Sequence, residues 1–188
     1  MLKKVGKLFI ISGPSGVGKG TLISEFIKMN HDVKLSISVT TRKPRKNEKD
    51  GINYFFVSHK EFQESIDNKE FLEYAKYSDN FYGTKKAYVE KKLNEGFNLI
   101  LEIDIQGAFQ IKERVPDSVS IFIYPPSFEE LEKRIRGRNT EEEDVIQKRL
   151  TFAKNELSNA KKFDYIVVNN NFNCALDELN KIFIKERI

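Results

Sequence analysis

Three glycines and one lysine near the N-terminus have the spacing of a phosphate-binding loop. Residues 13–21 read GPSGVGKGT; they follow the strand-like run LFIIS and precede a helical pattern. Backbone N–H groups of such a loop point into a concavity, and the N-terminus of the following helix adds partial positive charge. Lys19 can reach the outer phosphates as a point charge. We therefore expect phosphate binding here; the alternative is an ordinary glycine-rich turn between a strand and a helix.

The residue after Lys19 departs from the full loop pattern, which has Ser or Thr at that position. Here it is Gly20, and the hydroxyl appears one residue later, at Thr21. A hydroxyl at the usual position contacts the magnesium ion that accompanies a nucleotide. We therefore expect the ion to be held through phosphates and water.

A second group of side chains suits a phosphate carried by another reactant. Arg42 and Arg45 lie three residues apart around a proline, in the basic loop 40–51, and could fork onto one phosphate. Tyr54 and Tyr82 offer hydroxyl donors from neighbouring strand-like runs. The alternative for the basic loop is solvated surface.

A third group contains arginines in a segment that has the pattern of a movable lid. Arg134, Arg138 and Arg149 lie on a helix, at a glycine break and on the next helix. Arginines that arrive when a lid closes can stabilise charge on a transferring phosphoryl group, an effect of ~10³–10⁵ in rate where it has been measured. The alternative is that these cations pair with neighbouring acids, namely Glu129, Glu132 and Glu141 to Glu143.

The elements that must position these groups follow from hydrophobic periodicity and capping signals. Strands are predicted over 7–12, 33–39, 52–57, 70–77, 97–104, 119–124 and 163–169. Helices are predicted over 21–30, from 58, over 85–94 and 105–114, from 127, from 140 to about 160, and over 176–184. This succession predicts an α/β fold, a three-layer core with a parallel sheet and right-handed crossovers. Residues 36–85 have the pattern of a small, mostly antiparallel β insertion.

Bulk properties exclude several classes of protein. The 188 residues suit one domain, the hydrophobic fraction is 39%, and no run approaches the ~18–20 apolar residues of a membrane span. The N-terminus lacks signal-peptide architecture, so the expected location is cytoplasmic. A net charge of +4 fits a phosphate-rich ligand, and no basic stripe indicates nucleic acid. We expect neither nucleic acid nor membrane as a partner; a homo-oligomer is compatible with the sequence.

Several motifs in one collinear order resemble guanylate kinase, a nucleoside monophosphate kinase among the P-loop NTPases. They are GPSGVGKGT at 13–21, SVTTRKPR at 38–45 with Glu48 and Gly51, YGT at 82–84, EIDIQG at 102–107, PPS at 125–127, and Arg134 with Arg138. The resemblance implies transfer of the γ-phosphoryl of ATP to GMP or dGMP with Mg²⁺, in purine nucleotide metabolism and GMP recycling. It also implies a core (1–35, 88–126, 158–188), a GMP-binding region (36–87) and a lid (127–157).

The resemblance further implies a role for each matched residue. The ATP-binding residues would be Gly13, Pro14, Ser15, Gly16, Val17, Gly18, Lys19, Gly20, Thr21 and, near the adenine, Asn169. The GMP-binding residues would be Arg42, Arg45, Tyr54 and Tyr82 on the phosphate, Glu48 orienting the arginines, and Ser38, Glu73, Thr84 and Asp104 on the base. The catalytic residues would be Lys19, Arg42, Arg134, Arg138 and Arg149. Magnesium would lie near Thr21 and Glu102.

The choice of guanine agrees with the chemistry of the base-reading residues. Guanine presents N1–H and N2–H₂ donors on one edge, which a carboxylate such as Glu73 accepts, whereas adenine presents no such pair. Two alternatives remain: an inactive guanylate-kinase-like module that binds a phosphopeptide, and a kinase of the same fold acting on another nucleotide. The modules commonly lose the loop lysine or parts of the nucleotide sites, and this sequence keeps them; Glu73 opposes the second alternative.

Overall fold

The computed structural model describes residues 5–77, 79–137 and 142–187. Its strands are β1 Leu8–Ser12, β2 Val33–Leu35, β3 Val39–Thr40, β4 Phe55–Phe56, β5 Phe71–Tyr77, β6 Asn80–Lys85, β7 Asn98–Glu102, β8 Val119–Tyr124 and β9 Tyr165–Val168. Its helices are α1 Lys19–Met29, α2 His59–Asp67, α3 Lys86–Asn94, α4 Ile105–Arg114, α5 Phe128–Arg136, α6 Glu143–Ser158 and α7 Phe172–Glu186. A five-stranded sheet has the order β2-β7-β1-β8-β9, and a four-stranded sheet has the order β4-β3-β6-β5. This confirms the predicted α/β class.

One compact unit comprises Phe9–His31, Glu102–Ile105 and Val119–Ile188. Within it β1 pairs in parallel with β8, and β8 with β9. Every residue of β1 is buried, as its continuous apolar run indicates. Phe183 of α7 stacks on Phe9 with 3.7 Å between ring centroids and lies 4.5 Å from the ring of Phe26 in α1. These contacts bury β1 beneath two helices and so fix the point at which the phosphate loop leaves the strand.

The other unit comprises Met1–Leu8, Asp32–Leu101 and Gln106–Ser118. In its four-stranded sheet β3 pairs antiparallel with β6, and β6 with β5, whereas β3 and β4 are parallel. A small core of its own consists of Val39, Phe62 and Phe71, with Phe55, Val57, Ile66 and Phe81 packed against it. The predicted mostly antiparallel insertion is therefore confirmed. The proposed boundaries of core, GMP-binding region and lid stay predictions.

Two predicted strands are wrong in their extent. The alternating run 33–39 is two short strands in different sheets: Ser36 N–H still donates to Ile100 O at 2.8 Å, and the chain then changes sheet before Val39. The alternation places Val33, Leu35, Ile37 and Val39 on one face, which predicts that Leu35 is buried, but it is 40% exposed. In the run 52–57 only Phe55–Phe56 is a strand, because a turn closed by Gly51 N–H donating to the Tyr54 carbonyl precedes it. Period-two alternation does not reveal where a chain leaves one sheet for another.

Capping chemistry sets several helix boundaries. Ser58 and Glu61 form the expected reciprocal capping box of α2, and the Ser127 hydroxyl accepts from the Glu130 N–H at α5. The last helix begins at Phe172, four residues before its predicted start, because the Asn171 side chain accepts from the Cys174 N–H. Thr140, the expected cap of α6, lies outside the described residues. Helix α4 and strand β8 have their predicted bounds.

Candidate active site

The phosphate loop, residues 13–21, turns at glycines with positive φ. Gly13, Gly16 and Gly18 have φ of 143°, 88° and 96°. A methyl group on Gly13 would lie 2.4 Å from the carbonyl oxygen of Ile123, and one on Gly18 would lie 2.7 Å from Nδ2 of Asn169. The turn therefore requires glycine, both for its backbone conformation and for the close approach of neighbouring strands. Helix α1 begins directly after Gly18, so its N-terminus faces the loop.

We expect Gly13→Ala to lower the free energy of unfolding by about 1–3 kcal/mol. Alanine would strain the backbone at this positive φ, and its methyl group would also overlap the carbonyl oxygen of Ile123. Gly20→Ala is the matched control: a methyl group there would meet only Oε1 of Glu102, at 3.9 Å, within a helix that favours alanine. Denaturant unfolding of the two variants measures the difference. Equal stability of the two proteins would contradict the assigned loop geometry.

Lys19 lies over the carbonyl groups of its own loop. Its Nζ donates to Gly13 O and to Pro14 O, the latter at 3.2 Å. Burial lowers the pKa of Lys19, and the negative charges of Glu102, Glu156 and Asp104 oppose that shift. A desolvated ammonium in a glycine loop is suited to an anionic ligand, which would replace the hydration that the lysine has lost.

The acids near Lys19 combine two predicted residues with one that the sequence reasoning missed. Burial of the carboxyl raises the pKa of Glu102, although much of the residue's surface is exposed, and the Lys19 charge opposes the rise. Burial also raises the pKa of Glu156 on α6, with Asp104 adding to the rise. Glu156 adjoins Leu157 in the apolar stripe of its helix, and an acid beside a buried stripe was the available signal. In the described ranges, no three His, Cys, Asp or Glu residues are grouped as a metal site.

Asn169, the residue directly after β9, braces the phosphate loop. Its Nδ2 donates to the Val17 carbonyl at 2.8 Å, and the residue is only 8% exposed. The sequence resemblance associates this position with the adenine. In the structure the Asn169 side chain instead donates to the Val17 carbonyl, and this bond holds the turn between Gly16 and Gly18 in place.

Of the three arginines in the predicted lid, Arg149 contacts the phosphate loop through its guanidinium. Arg149 Nη2 donates to the Ser15 hydroxyl at 2.8 Å. The Cβ of Arg134 would lie 4.0 Å from a methyl group on Gly16, while Arg134 Nε pairs with Glu130 at 3.1 Å. Arg138 lies outside the described residues. Thus Arg149 reaches the loop with its guanidinium, whereas Arg134 approaches it only with its Cβ and pairs its Nε with Glu130.

Pairing with neighbouring acids, the alternative for these arginines, also occurs. Arg136, which the sequence reasoning did not select, pairs with Glu132 at 2.7 Å and with both oxygens of Glu143. These bonds raise the pKa of Arg136 and lower that of Glu143 to about 2. Arg136 therefore links α5 to α6 through two carboxylates, which indicates a structural role and not a ligand-binding one.

In the other unit, Glu48 organises the basic loop. Its Oε1 accepts from Arg42 Nη2 at 2.8 Å, and its Oε2 accepts from the backbone N–H of Arg45, also at 2.8 Å. The hydrogen bond from Arg42 is the main cause that lowers the pKa of Glu48, and the same bond raises the pKa of Arg42. The Arg45 side chain is exposed. The predicted orienting role of Glu48 thus has a direct geometric basis for Arg42.

Both predicted tyrosines accompany Arg42. Its guanidinium lies 5.4 Å from the ring centroid of Tyr54, and the Tyr82 ring meets the Tyr54 ring edge-on at 6.1 Å. A hydrogen bond with Tyr82 also contributes to the raised pKa of Arg42. Arg42 is further fixed by its backbone N–H, which donates to Thr40 Oγ1 at 3.1 Å. The Arg42 guanidinium is therefore held by the Glu48 carboxylate and Tyr82 and lies beside the ring of Tyr54.

Glu73 is a buried carboxylate on the antiparallel sheet. It is 4% exposed, and its Oε1 accepts from the Thr84 hydroxyl, itself fully buried, at 2.6 Å. The two residues face each other across the β5–β6 pair. Ser38, at the start of the same sheet, is half-buried. Of the four predicted base-reading residues, Glu73 and Thr84 are in contact, whereas Asp104 belongs to the unit of the phosphate loop.

Comparisons with known proteins agree over nearly the whole chain. A sequence model of the guanylate kinase family matches residues 5–186. The chain is 50% identical over 181 residues to the guanylate kinase of Prochlorococcus marinus subsp. pastoris, covering 96% of this chain and 98% of that protein. It is 49% identical over 187 residues to the guanylate kinase of Clostridioides difficile, covering 100% and 91%. The crystal structure of guanylate kinase from Anaplasma phagocytophilum superimposes with a TM-score of 0.81 at 36% identity, covering 100% and 89% of the two chains.

Proposed function

This chain belongs to the guanylate kinase family and is an ATP:GMP phosphotransferase, and we propose that its two units divide the recognition of the two nucleotides. The unit of the phosphate loop binds ATP, and the unit of the antiparallel sheet binds GMP through its base and phosphate. Asp104 is proposed for base recognition from the sequence resemblance alone. The observation that carries this assignment is the buried Glu73 carboxylate bonded to Thr84.

Glu73 supplies the preference for guanine. A buried carboxylate accepts the N1–H and N2–H₂ donors of guanine, while the Ser38 hydroxyl serves the base as donor or acceptor and the Thr84 hydroxyl, whose proton is donated to Glu73, serves it as an acceptor. Adenine has no matching donor pair and would present its N1 acceptor to this carboxylate. Sites of this kind reject analogues by up to ~10⁴–10⁵-fold.

Arg42, Arg45, Tyr54 and Tyr82 hold the phosphate of GMP. The support is the cluster in which Glu48 orients the Arg42 guanidinium beside both tyrosines. The exposed side chain of Arg45 completes a fork around Pro44 when the phosphate binds. These cations neutralise the GMP phosphate, which lowers its electrostatic repulsion by the phosphates of ATP.

The phosphate loop and Lys19 hold the phosphates of ATP, with Asn169 fixing the loop. Arg134 and Arg149 stabilise charge on the transferring group, and Arg138 is proposed for the same role from the sequence resemblance alone. Transfer of a phosphoryl group depends mainly on positioning and charge neutralisation. The acceptor oxygen already belongs to an anionic phosphate, so no side chain must act as a strong base. Closure over the reactants excludes water, which would otherwise hydrolyse ATP.

Magnesium accompanies ATP in this proposal. The described residues hold no preformed cluster of metal ligands, and Mg²⁺ characteristically keeps several waters and binds through substrate phosphates. Glu102 and Thr21 suit this arrangement, because a carboxylate at the loop and an exposed hydroxyl on the first turn of α1 can both hold water of the ion's shell. When bound, the ion neutralises phosphate charge.

The second acceptor, the metabolic role and the cellular location belong to the same proposal. Use of dGMP beside GMP, a place in purine nucleotide metabolism and a cytoplasmic location rest on family membership. None of the described helices combines the length and the apolar character that a membrane span needs.

An acceptor panel tests the proposed function. ADP formation is measured with ATP and Mg²⁺ against GMP, dGMP, AMP, CMP and UMP. We expect turnover with GMP and dGMP and at least ~10³-fold lower kcat/KM with the other three nucleotides. Turnover with another acceptor would indicate a kinase of different specificity, and turnover with none would favour the inactive phosphopeptide-binding module.

Glu48→Gln tests the phosphate-binding cluster. The amide removes the negative charge that orients the Arg42 guanidinium, so we expect a rise of about 10–100-fold in the KM for GMP. The KM for ATP should stay unchanged. Glu61→Gln, an exposed acid that caps α2 in the same unit, is the control. A KM for GMP that matches the control would remove Glu48 from the binding site.

A further inference from the structure

The strand that carries Glu73 lies at the edge of its sheet. Strand β5 is the last in the order β4-β3-β6-β5, so its outer backbone groups pair with no other strand in the part of the chain that the structure describes. The pairing of β5 with β6 is also irregular, with a register shift between Phe71 and Glu73. An unpaired edge next to such an irregularity is free to twist unless another element holds it.

Helix α4 holds this edge with a side-chain amide that takes the place of a strand. Gln110 Nε2 donates to the Tyr74 carbonyl at 2.9 Å, and Gln110 Oε1 accepts from the Tyr74 N–H at 3.3 Å. One side chain thus satisfies both outward backbone groups of the residue that follows Glu73.

One turn further along α4, Arg114 bonds to the β5 backbone that precedes Glu73. Arg114 Nη1 donates to the Leu72 carbonyl and, at 3.4 Å, to the Phe71 carbonyl. Gln110 and Arg114 are four residues apart and so lie on one face of the helix. The backbone is therefore clamped immediately before and immediately after Glu73.

We propose that Gln110 and Arg114 are positioning residues that set the selectivity for guanine by fixing the β5 backbone on both sides of Glu73. The inference rests on the proposed role of Glu73 as the reader of the base. A carboxylate that accepts two donors at once tolerates little displacement, and a shift of about 1 Å at a reacting or recognition group can cost ~10²-fold. Because Glu73 and Thr84 form one buried pair, rotation of β5 would also disturb their hydrogen bond.

A role confined to stability would have a different kinetic signature. Fewer folded molecules lower the apparent kcat for every acceptor equally and leave ratios between acceptors unchanged. A positioning role instead lowers the preference for the acceptor that uses both oxygens of Glu73. The informative pair is GMP and IMP, since hypoxanthine keeps the N1–H donor and lacks the N2 amino group.

The test measures kcat/KM for GMP and for IMP in Gln110→Ala and Arg114→Met. We expect the GMP/IMP ratio to fall about tenfold in each, with the KM for ATP unchanged. Hydrogen exchange at the Tyr74 amide should become faster in Gln110→Ala. Should that variant fail to fold, Gln110→Glu keeps the size and the acceptor, but places a carboxylate oxygen against the Tyr74 carbonyl, and the same fall in the ratio is expected.

Glu113→Gln is the matched control, an exposed residue on the same turn of α4. Wild type and Glu73→Gln are measured beside the variants. If Glu73→Gln loses the GMP/IMP preference while Gln110→Ala and Arg114→Met keep it, the positioning role is wrong and the function of Glu73 stands. If the wild type shows no preference for GMP over IMP, the role of Glu73 itself is wrong and this inference is overturned with it.

Discussion

Lys19→Ala lowers kcat by about 10²–10³-fold or more while the protein stays folded. In the proposed function the Lys19 ammonium binds the donor phosphates, and no other lysine or arginine is part of the loop sequence. Burial lowers the pKa of Lys19, so the folded protein carries an unfavourable desolvation of this group in the absence of ligand. Removing the side chain therefore leaves the thermal stability of the nucleotide-free protein unchanged or raises it, whereas activity is lost.

Lys28→Ala is the matched control for this variant. Lys28 lies on the same helix, and its exposed pair with Glu25 at 2.9 Å contributes little to stability. Steady-state kinetics and thermal unfolding of both variants separate catalysis from folding. A kcat of Lys19→Ala equal to that of Lys28→Ala would show that the lysine does not serve the transferring phosphate.

Glu73→Gln lowers kcat/KM for GMP by about 10²–10³-fold and leaves the KM for ATP unchanged. The amide keeps an acceptor for the Thr84 hydroxyl but turns an NH₂ donor toward the donors of guanine. The variant also removes a buried negative charge, so acceptors that lack the donor pair are penalised less. The GMP/AMP ratio of kcat/KM therefore falls sharply.

Glu64→Gln is the control for this second variant, an exposed acid in the same unit whose ion pair with Lys60 is long, at 3.9 Å. Its GMP/AMP ratio should match that of the wild type. An unchanged ratio in Glu73→Gln would mean that guanine is recognised by other residues, and the assignment of the antiparallel sheet to GMP would lose its main support.

The sequence predicted best those elements whose boundaries depend on neighbouring residues in the chain. Helix α4 and strand β8 have their predicted bounds because the run of apolar residues and the flanking breakers agree. The phosphate loop was predictable for the same reason: positive φ at Gly13, Gly16 and Gly18 is a local requirement that only glycine meets readily.

Features that depend on distant parts of the chain were not predictable. The segment 33–39 alternates like one strand, but its two ends pair in different sheets, a choice made by the partners of Val33 and Val39. The electrostatic influence of Glu156 on Lys19 joins residues far apart in sequence. Neither signal is present in a local pattern.

In the candidate site, too, contacts between residues near in sequence were predictable and contacts between distant residues were not. Glu48 lies close to Arg42 in sequence, and their contact was predictable from the loop. The brace from Asn169 to Val17 and the clamp of α4 on β5 involve backbone atoms, which carry no residue-specific signal in the sequence. Side chains that act on backbone are therefore the part of the site that required the structure.

Calorimetric binding of each nucleotide to the two main variants tests the central claim, that donor and acceptor are recognised by separate sets of residues. A non-hydrolysable ATP analogue with Mg²⁺ and, separately, GMP are titrated into Lys19→Ala and Glu73→Gln. We expect Lys19→Ala to lose affinity for the ATP analogue and keep that for GMP, and Glu73→Gln to do the reverse. Loss of GMP affinity in Lys19→Ala, or of ATP-analogue affinity in Glu73→Gln, would contradict the division of recognition between the two units.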